Sequence, residues 1–501
     1  MSRLVVVSNR VADLSAATQA GGLAVAVGDL LKRTGGVWFG WNGETVDDPT
    51  KVATSLTRSE GVTIATVPLS PEEYERYYLG YANSVLWPVF HNRLDLAHFE
   101  AGFFNAYHEV NQRFARRLKR LIKPDDVIWV HDYHLIPLGI ELRRLGVDNP
   151  IGFFLHIPFP PGQCFLAIPE HRQLARAFAA FDMIGFQAKA DVANFLDYLS
   201  RGEFGRVLQD GRLRIFDATV TAASFPISID TAAFAALAAS KKSRRQVTRL
   251  NARTGASRHI IGVDRLDYSK GLPERFRAFN RFLEKYADFR GVVSLTQVAP
   301  PTRESMEAYT EARRELEGLA GAINGRHGDF DWVPIRYIHR SVPRSSLAGI
   351  YRSSAVGLVT PLRDGMNLVA KEYVAAQDPA DPGVLILSKF AGASEELKEA
   401  LIINPYDIEQ MADAIYQGLV MEKDARLARH GALLERITRH DIHAWASSFL
   451  ATLDKAAASR RPASFAATAP APKPNRSLQQ MAQAATPTLP TLGRPAHEGS
   501  D

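Results

Sequence analysis

Two short stretches of this sequence gather side chains suited to a phosphorylated, hydroxyl-rich ligand. In the first, Val263-Asp264-Arg265-Leu266-Asp267-Tyr268-Ser269-Lys270-Gly271, an apolar run gives way to a loop, and Pro273 can open a helix beyond it. Two cations five residues apart on such a loop can flank a diphosphate, Arg265 as a bidentate fork and Lys270 as a compact charge. The same two could instead be surface cations paired with Asp264 and Asp267. The second stretch, Thr360-Pro361-Leu362-Arg363-Asp364-Gly365-Met366-Asn367-Leu368-Val369-Ala370-Lys371-Glu372, also leaves an apolar run and enters a helix. Gly365 permits close backbone approach, and the first helical N–H groups form an anion site. Leu368 and Glu372 lie four apart and share a helix face. Glu372 can accept two hydroxyl hydrogen bonds, as a ribose 2′,3′-diol would offer. Asp364 can accept from a sugar hydroxyl. Alternatively, Asp364 is a helix cap and Glu372 a solvated helix residue.

The first half carries smaller signals. Ser8-Asn9-Arg10 closes the first apolar run, and Gly21-Gly22-Leu23 opens the next helix, where a glycine pair lets backbone meet a phosphate or sugar. In His131-Asp132-Tyr133-His134 the histidine spacing is compatible with a metal, but no obvious carboxylate or Cys completes a set, so no metal is expected. His156, in Phe154-Leu155-His156-Ile157-Pro158, is either a ligand contact or a core histidine. Trp87, before Pro88, is either packing or a ligand contact. Arg303 either opens toward a cleft or pairs with Glu304 or Glu307 on its own helix.

The elements that must position these residues alternate. Strands are expected at Leu4–Ser8, Val37–Trp41, Val127–Val130, Ile151–His156 and Met183–Phe186, then at His259–Val263, Val292–Gln297, Ile335–Ile338, Val356–Thr360 and Val384–Ser388. Helical patterns near 23–33, 108–121, 135–145 and 171–180 separate the first set, and those near 273–286, 303–321, 344–352 and 367–376 the second. Such alternation implies an α/β protein: two Rossmann-like domains of parallel sheet covered by helices, facing across a deep cleft at the strand carboxyl ends. The boundaries read as 1–228 and 229–456, with the join near Phe225–Thr231, and the last helix either stays with the second domain or packs back on the first. A basic helix over 231–253, with Lys241-Lys242-Ser243-Arg244-Arg245, reads as a solvated face, so no nucleic acid is expected. Residues 457–501 turn to Ala, Pro, Thr and Ser and read as a disordered tail.

Composition sets the outer bounds. At 501 residues, 46% hydrophobic and 23% charged, with formal net charge +6, the chain is ordinary globular protein. A single cysteine, Cys164, excludes an intrachain disulfide and suits a reducing compartment. No run approaches the roughly 20 apolar residues of a spanning helix, and Leu4–Val7 is shorter than a signal-peptide core of about 7–15 residues. A soluble cytoplasmic protein with no membrane association is expected.

The strings SNR, AGGLAV, WFGWNGE, LWPVFH, WVHDYHL, GFFLHIPFP, RLDYSKGLPER, TQVAPPTR, GLVTPLRDGMNLVAKEYVAAQ and FAGAS occur in order from residue 8 to residue 394, within a likeness that runs from residue 3 to about 454. In these the chain resembles the trehalose-6-phosphate synthases, retaining glucosyltransferases of GT-B architecture. The resemblance implies transfer of glucose from a nucleotide-glucose to glucose 6-phosphate, giving trehalose 6-phosphate, without cofactor or metal and in a homo-oligomer (dimer or tetramer). It assigns Arg265 and Lys270 to the donor diphosphate and Glu372 to its ribose. Asp364 and the backbone from Gly365 through Met366, Asn367 and Leu368 to Val369 fall to the donor glucose and phosphate, and Ala370 and Lys371 in the same string are expected to bind the donor as well. Gly21 and Gly22 approach the donor from the other domain, and Val342 lies in the looser base-contacting stretch 339–342. Arg10, Tyr78, Trp87, Asp132 and Arg303 match the acceptor pocket, and His156 sits beside the reacting sugar. Arg265, Lys270, Asp364 and His156 form the catalytic set. Rival readings are a glucosylglycerol-phosphate synthase, using glycerol 3-phosphate, and a non-catalytic sugar-phosphate sensor; the latter could lose the donor clamp, which is present here.

Overall fold

The computed structural model describes residues 2–11, 22–254 and 258–459. Leu4-Val5-Val6-Val7 has no polar side chain to turn toward water, and it forms the buried middle of a ten-stranded sheet. Its strands are β1 (Leu4–Arg10), β2 (Gly36–Thr45), β3 (Ser55–Ser59), β4 (Val62–Leu69), β5 (Val127–His131), β6 (Ile151–Phe154), β7 (Met183–Phe186), β8 (Gly205–Val207), β9 (Leu213–Ile215) and β10 (Ala218–Ser224). They run in the order β3-β4-β2-β1-β5-β6-β7-β10-β9-β8. A second sheet holds β11 (Arg258–Val263), β12 (Val293–Val298), β13 (Ile335–Ile338), β14 (Val356–Val359), β15 (Val384–Ser388) and β16 (Leu401–Ile403), in the order β13-β12-β11-β14-β15-β16 and wholly parallel.

The first sheet departs from the all-parallel expectation at its edges. β3 and β4 form an antiparallel hairpin closed by Glu60 and Gly61, both with positive φ (49° and 81°), the two-residue turn whose twist suits a hairpin. β9 pairs antiparallel with both β8 and β10. The expected basic helix over 231–253 is two helices, Thr231–Ala238 and Lys241–Thr254. Ala239 closes the first of them, and the break follows at Ser240, whose hydroxyl caps the second by accepting from Ser243 N. The helix expected from 303 begins only at Glu307 and runs to His327, because Arg303 takes a positive φ of 48° and Met306, the residue before the helix, is extended (φ −94°, ψ 131°).

The last helix, Ile442–Ala458, returns to the first sheet and lies against β6 and β7. Phe449 stacks on Trp129 of β5 with centroids 4.3 Å apart, and Trp445 Nε1 donates to Phe225 O at 3.1 Å. Gly152 and Gly185 make room for it: a Cβ at either would stand within 2.8 Å of the Phe449 ring. The segment expected to be a disordered tail lies, from residue 460, outside the described residues, as does Gly21.

Candidate functional site

The carboxyl ends of the two sheets face each other, and their loops touch. A Cβ on Gly365, after β14, would stand 2.1 Å from the carbonyl oxygen of His156, after β6, so this approach admits only glycine. The Gly365 loop is held from behind: Asp364 N donates to Phe390 O, Gly392 N to Asp364 O and Ala393 N to Met366 O. Asn367, in a left-handed conformation (φ 72°), precedes the helix Leu368–Ala376 and occupies its N-cap position, so Asp364 is not that cap.

Lys270, buried at the end of the β11 loop, donates from Nζ to Asp364 Oδ2 at 2.7 Å, and Asn367 Nδ2 reaches the same oxygen at 3.1 Å. The surface-pair alternative therefore does not describe this loop. Asp264 pairs at 2.8 Å with Arg275, a fully buried cation that also donates to Thr360 and Gln297. Asp267 faces Arg303 at 3.6 Å; burial opposes its charge, but Arg303 and Lys270 hold its carboxyl below the usual range. Arg265 is exposed, 5.8 Å from the centroid of Trp87.

Arg303 crosses between the sheets. Its guanidinium donates to Tyr133 Oη at 3.1 Å and Tyr309 Oη at 2.5 Å, and lies 4.2 Å from the Trp87 ring centroid. Its pairing is with these groups rather than Glu304 or Glu307. Tyr78 comes from a π-helical segment, Tyr74–Leu86, a wide coil often found at functional sites. It stacks on Tyr74 and His134, with centroids 5.4 and 5.8 Å away. Arg10 is exposed at the end of β1, 5.7 Å from the Trp41 centroid.

Asp132 follows β5 with a positive φ of 77°, and its Oδ1 accepts from His156 N at 3.2 Å. Burial raises its carboxyl to about 6. Glu372 lies on the first turns of the Leu368–Ala376 helix, where burial raises its carboxyl to about 7 against the pull of Arg344. Lys371 points away from this face: its Nζ donates to Ile227 O at 2.8 Å and Glu396 Oε2 at 2.6 Å. Val342 packs part-buried against the core, Ala370 is buried in it, and Gly22 opens the helix Gly22–Thr34.

Four residues at this site go unmarked in the sequence reading: Arg275, Tyr133, Tyr309 and Gln187. Arg275 ends the string RLDYSKGLPER, Tyr133 lies inside WVHDYHL, and Gln187, whose Nε2 is 3.3 Å from His156 Nδ1, stands one residue past β7, so position is the available signal. His131 and His134 do not assemble a metal set, and among the described residues no group of three or more His, Cys, Asp or Glu could hold an ion. No helix among them is long and apolar enough to cross a membrane.

Comparison with known proteins places this geometry in a family. The profile of glycosyltransferase family 20 matches residues 3–455. The trehalose-6-phosphate synthase of Sinorhizobium fredii is 47% identical over 455 residues, covering 90% of this chain and 98% of its own. An α,α-trehalose-phosphate synthase (UDP-forming) from Burkholderia xenovorans, solved in complex with glucose-6-phosphate, is 47% identical with a TM-score of 0.87, covering 90% of this chain and 100% of its own. The E. coli protein solved with UDP-2-fluoro glucose is 44% identical with a TM-score of 0.86, covering 91% and 99%. The two facing Rossmann-like sheets are the GT-B architecture, and with a match over nearly all of its described length the chain belongs to glycosyltransferase family 20.

Proposed function

We propose that this chain is an α,α-trehalose-phosphate synthase, transferring glucose from UDP-glucose to the anomeric hydroxyl of glucose 6-phosphate with retention and releasing UDP. The observation that carries the reading is the Lys270–Asp364 pair at 2.7 Å on the loops of one sheet, set against His156 of the other. The relatives solved with glucose-6-phosphate and with UDP-2-fluoro glucose support the choice of substrates.

In this reading Arg265 and Lys270 neutralise the donor diphosphate, the helix N-terminus from Gly365 to Val369 adds its N–H groups, and Glu372 accepts from the ribose. Gly21 and Gly22 approach the donor from the first domain, and Val342 borders the base. Ala370 and Lys371 hold the donor helix in place. Tyr78, Trp87 and Asp132 frame the acceptor sugar, with Arg10 and Arg303 on its phosphate. The bond from C1 to the β-phosphate oxygen breaks while the acceptor oxygen bonds to C1 from the same face, and its proton passes to the departing phosphate. Arg265 and Lys270 stabilise the charge that develops there, a preorganised electrostatic role. A double displacement would need a carboxylate on the opposite face of the sugar; Asp364, its Oδ2 already engaged by Lys270 and Asn367, serves instead as an acceptor for a sugar hydroxyl.

The same reading includes domains divided near 228, a cytoplasmic location, which the single thiol Cys164 suits, and a homo-oligomer, measurable by light scattering. The test of the activity is UDP release from UDP-glucose with glucose 6-phosphate, with glycerol 3-phosphate or with no acceptor. Release in the presence of glucose 6-phosphate and not in the other two mixtures is expected. Release only with glycerol 3-phosphate, or with neither acceptor, overturns the reading.

A further inference from the structure

His156 is bracketed on both ring nitrogens by protein. Its Nε2 lies 2.9 Å from His131 Nδ1, with the rings stacked 5.2 Å apart. Its Nδ1 lies 3.3 Å from Gln187 Nε2. Gln187 is buried just past β7, and its Oε1 accepts from Ile227 N at 3.0 Å. That last contact orients the whole chain of bonds. A backbone N–H can only donate, so the Gln187 oxygen must face Ile227 and its amide nitrogen must face His156. The amide nitrogen donates, so His156 Nδ1 must offer a lone pair.

We propose that Gln187 and His131 are positioning residues that hold His156 as a neutral imidazole with its proton on Nε2, donated to His131 Nδ1. His131 is then itself neutral, with its own proton on Nε2. That nitrogen is buried without a hydrogen-bond partner, and the His131 ring lies 4.7 Å from that of Trp129, a setting hostile to any charge on this ring. Burial lowers His131 to about 3 and takes His156 well below its ordinary value, in the same direction. With both nitrogens committed, His156 is a rigid uncharged wall beside Gly365 and does not take the acceptor's proton, which stays with the departing phosphate. This consequence rests on the proposed transfer reaction; the proton placement does not.

The test is 15N NMR of histidine-labelled protein, with His156 assigned from the signals lost in His156→Gln. The expected pattern is a protonated Nε2 and a bare Nδ1, unchanged between about pH 6 and 8. Gln187→Glu keeps an oxygen for Ile227 but presents an acceptor to Nδ1, so the His156 proton should move to Nδ1. The turnover of that variant should fall about tenfold to a hundredfold with Michaelis constants little changed, as for a displaced group. His131→Asn, which can still accept from Nε2, should retain more turnover than His131→Leu. A wild-type His156 protonated on Nδ1 or on both nitrogens, or an unmoved proton in Gln187→Glu, overturns the proposal. The NMR result stands whether or not UDP is released, so failure of the activity is told apart from failure of the proton assignment.

Discussion

Replacing Glu372 by Gln separates a ligand-binding carboxylate from a solvated helix residue. Burial raises this carboxyl to about 7, with Arg344 opposing. If the ionised form accepts the two ribose hydroxyls, only about a tenth of the enzyme is competent at pH 6 and about nine-tenths at pH 8. The dissociation constant for UDP-glucose should therefore fall about tenfold across that interval. Losing a charged acceptor costs about 1.5–3 kcal/mol, so Glu372→Gln should bind the donor roughly 10- to 150-fold more weakly at pH 8 and show no such pH dependence. Calorimetric titration without acceptor is the appropriate assay, because the acceptor phosphate titrates near pH 6. Stability moves the other way. A carboxyl raised from 4.5 to about 7 favours the folded state below its unfolded value, and this is lost as pH rises through 7. The variant should then melt no lower than the wild type at pH 8. Wild-type donor affinity in a folded Glu372→Gln protein, or a pH slope that survives the substitution, would remove Glu372 from the donor site.

Substitutions at four further positions test the remaining geometry. Arg303→Ala should raise the Michaelis constant for glucose 6-phosphate more than that for the donor and narrow discrimination against glucose by about 1.5–3 kcal/mol. It should also destabilise the fold, since Asp267 stays buried without its cation, so Arg303→Lys is the companion in steady-state kinetics. Lys270→Ala should lower kcat at saturating substrates by about a hundredfold to a thousandfold, while a chelator leaves the wild-type rate unchanged. Arg275→Met strands the buried Asp264 carboxylate and should cost about 3–5 kcal/mol in urea unfolding. Gly365→Ala sets a methyl against the His156 carbonyl; moving the two sheets apart relieves the clash, so kcat should fall about a hundredfold with little change in the urea midpoint.

Much of this arrangement is legible in the sequence because parallel, doubly covered strands read as apolar runs. Val356–Val359 and Val384–Ser388 are buried on both faces and stand out between helical patterns. The edge strands escape that signal. Ser55–Ser59 carries one apolar side chain in five, and its hairpin depends on positive φ at Glu60, which no apolar pattern announces. The site divides in the same way. Arg265, Lys270, Asp364 and Glu372 fall in or just beyond loops that leave strands, where spacing suggests chemistry. Arg275 looks like any helix arginine until folding buries it against Asp264. His131 invites a metal reading because a sequence pattern shows spacing along the chain, whereas its partner, His156, comes from the end of the neighbouring strand.

The structure of the product decides whether this chain is the synthase proposed. UDP-glucose and glucose 6-phosphate are incubated with the purified protein, and the disaccharide phosphate is examined by NMR. Retaining transfer to the anomeric hydroxyl predicts two α-configured anomeric centres and no reducing end, with loss of one equivalent of UDP-glucose per disaccharide. A β-configured centre, a reducing-end signal, or free glucose in place of a disaccharide would contradict it.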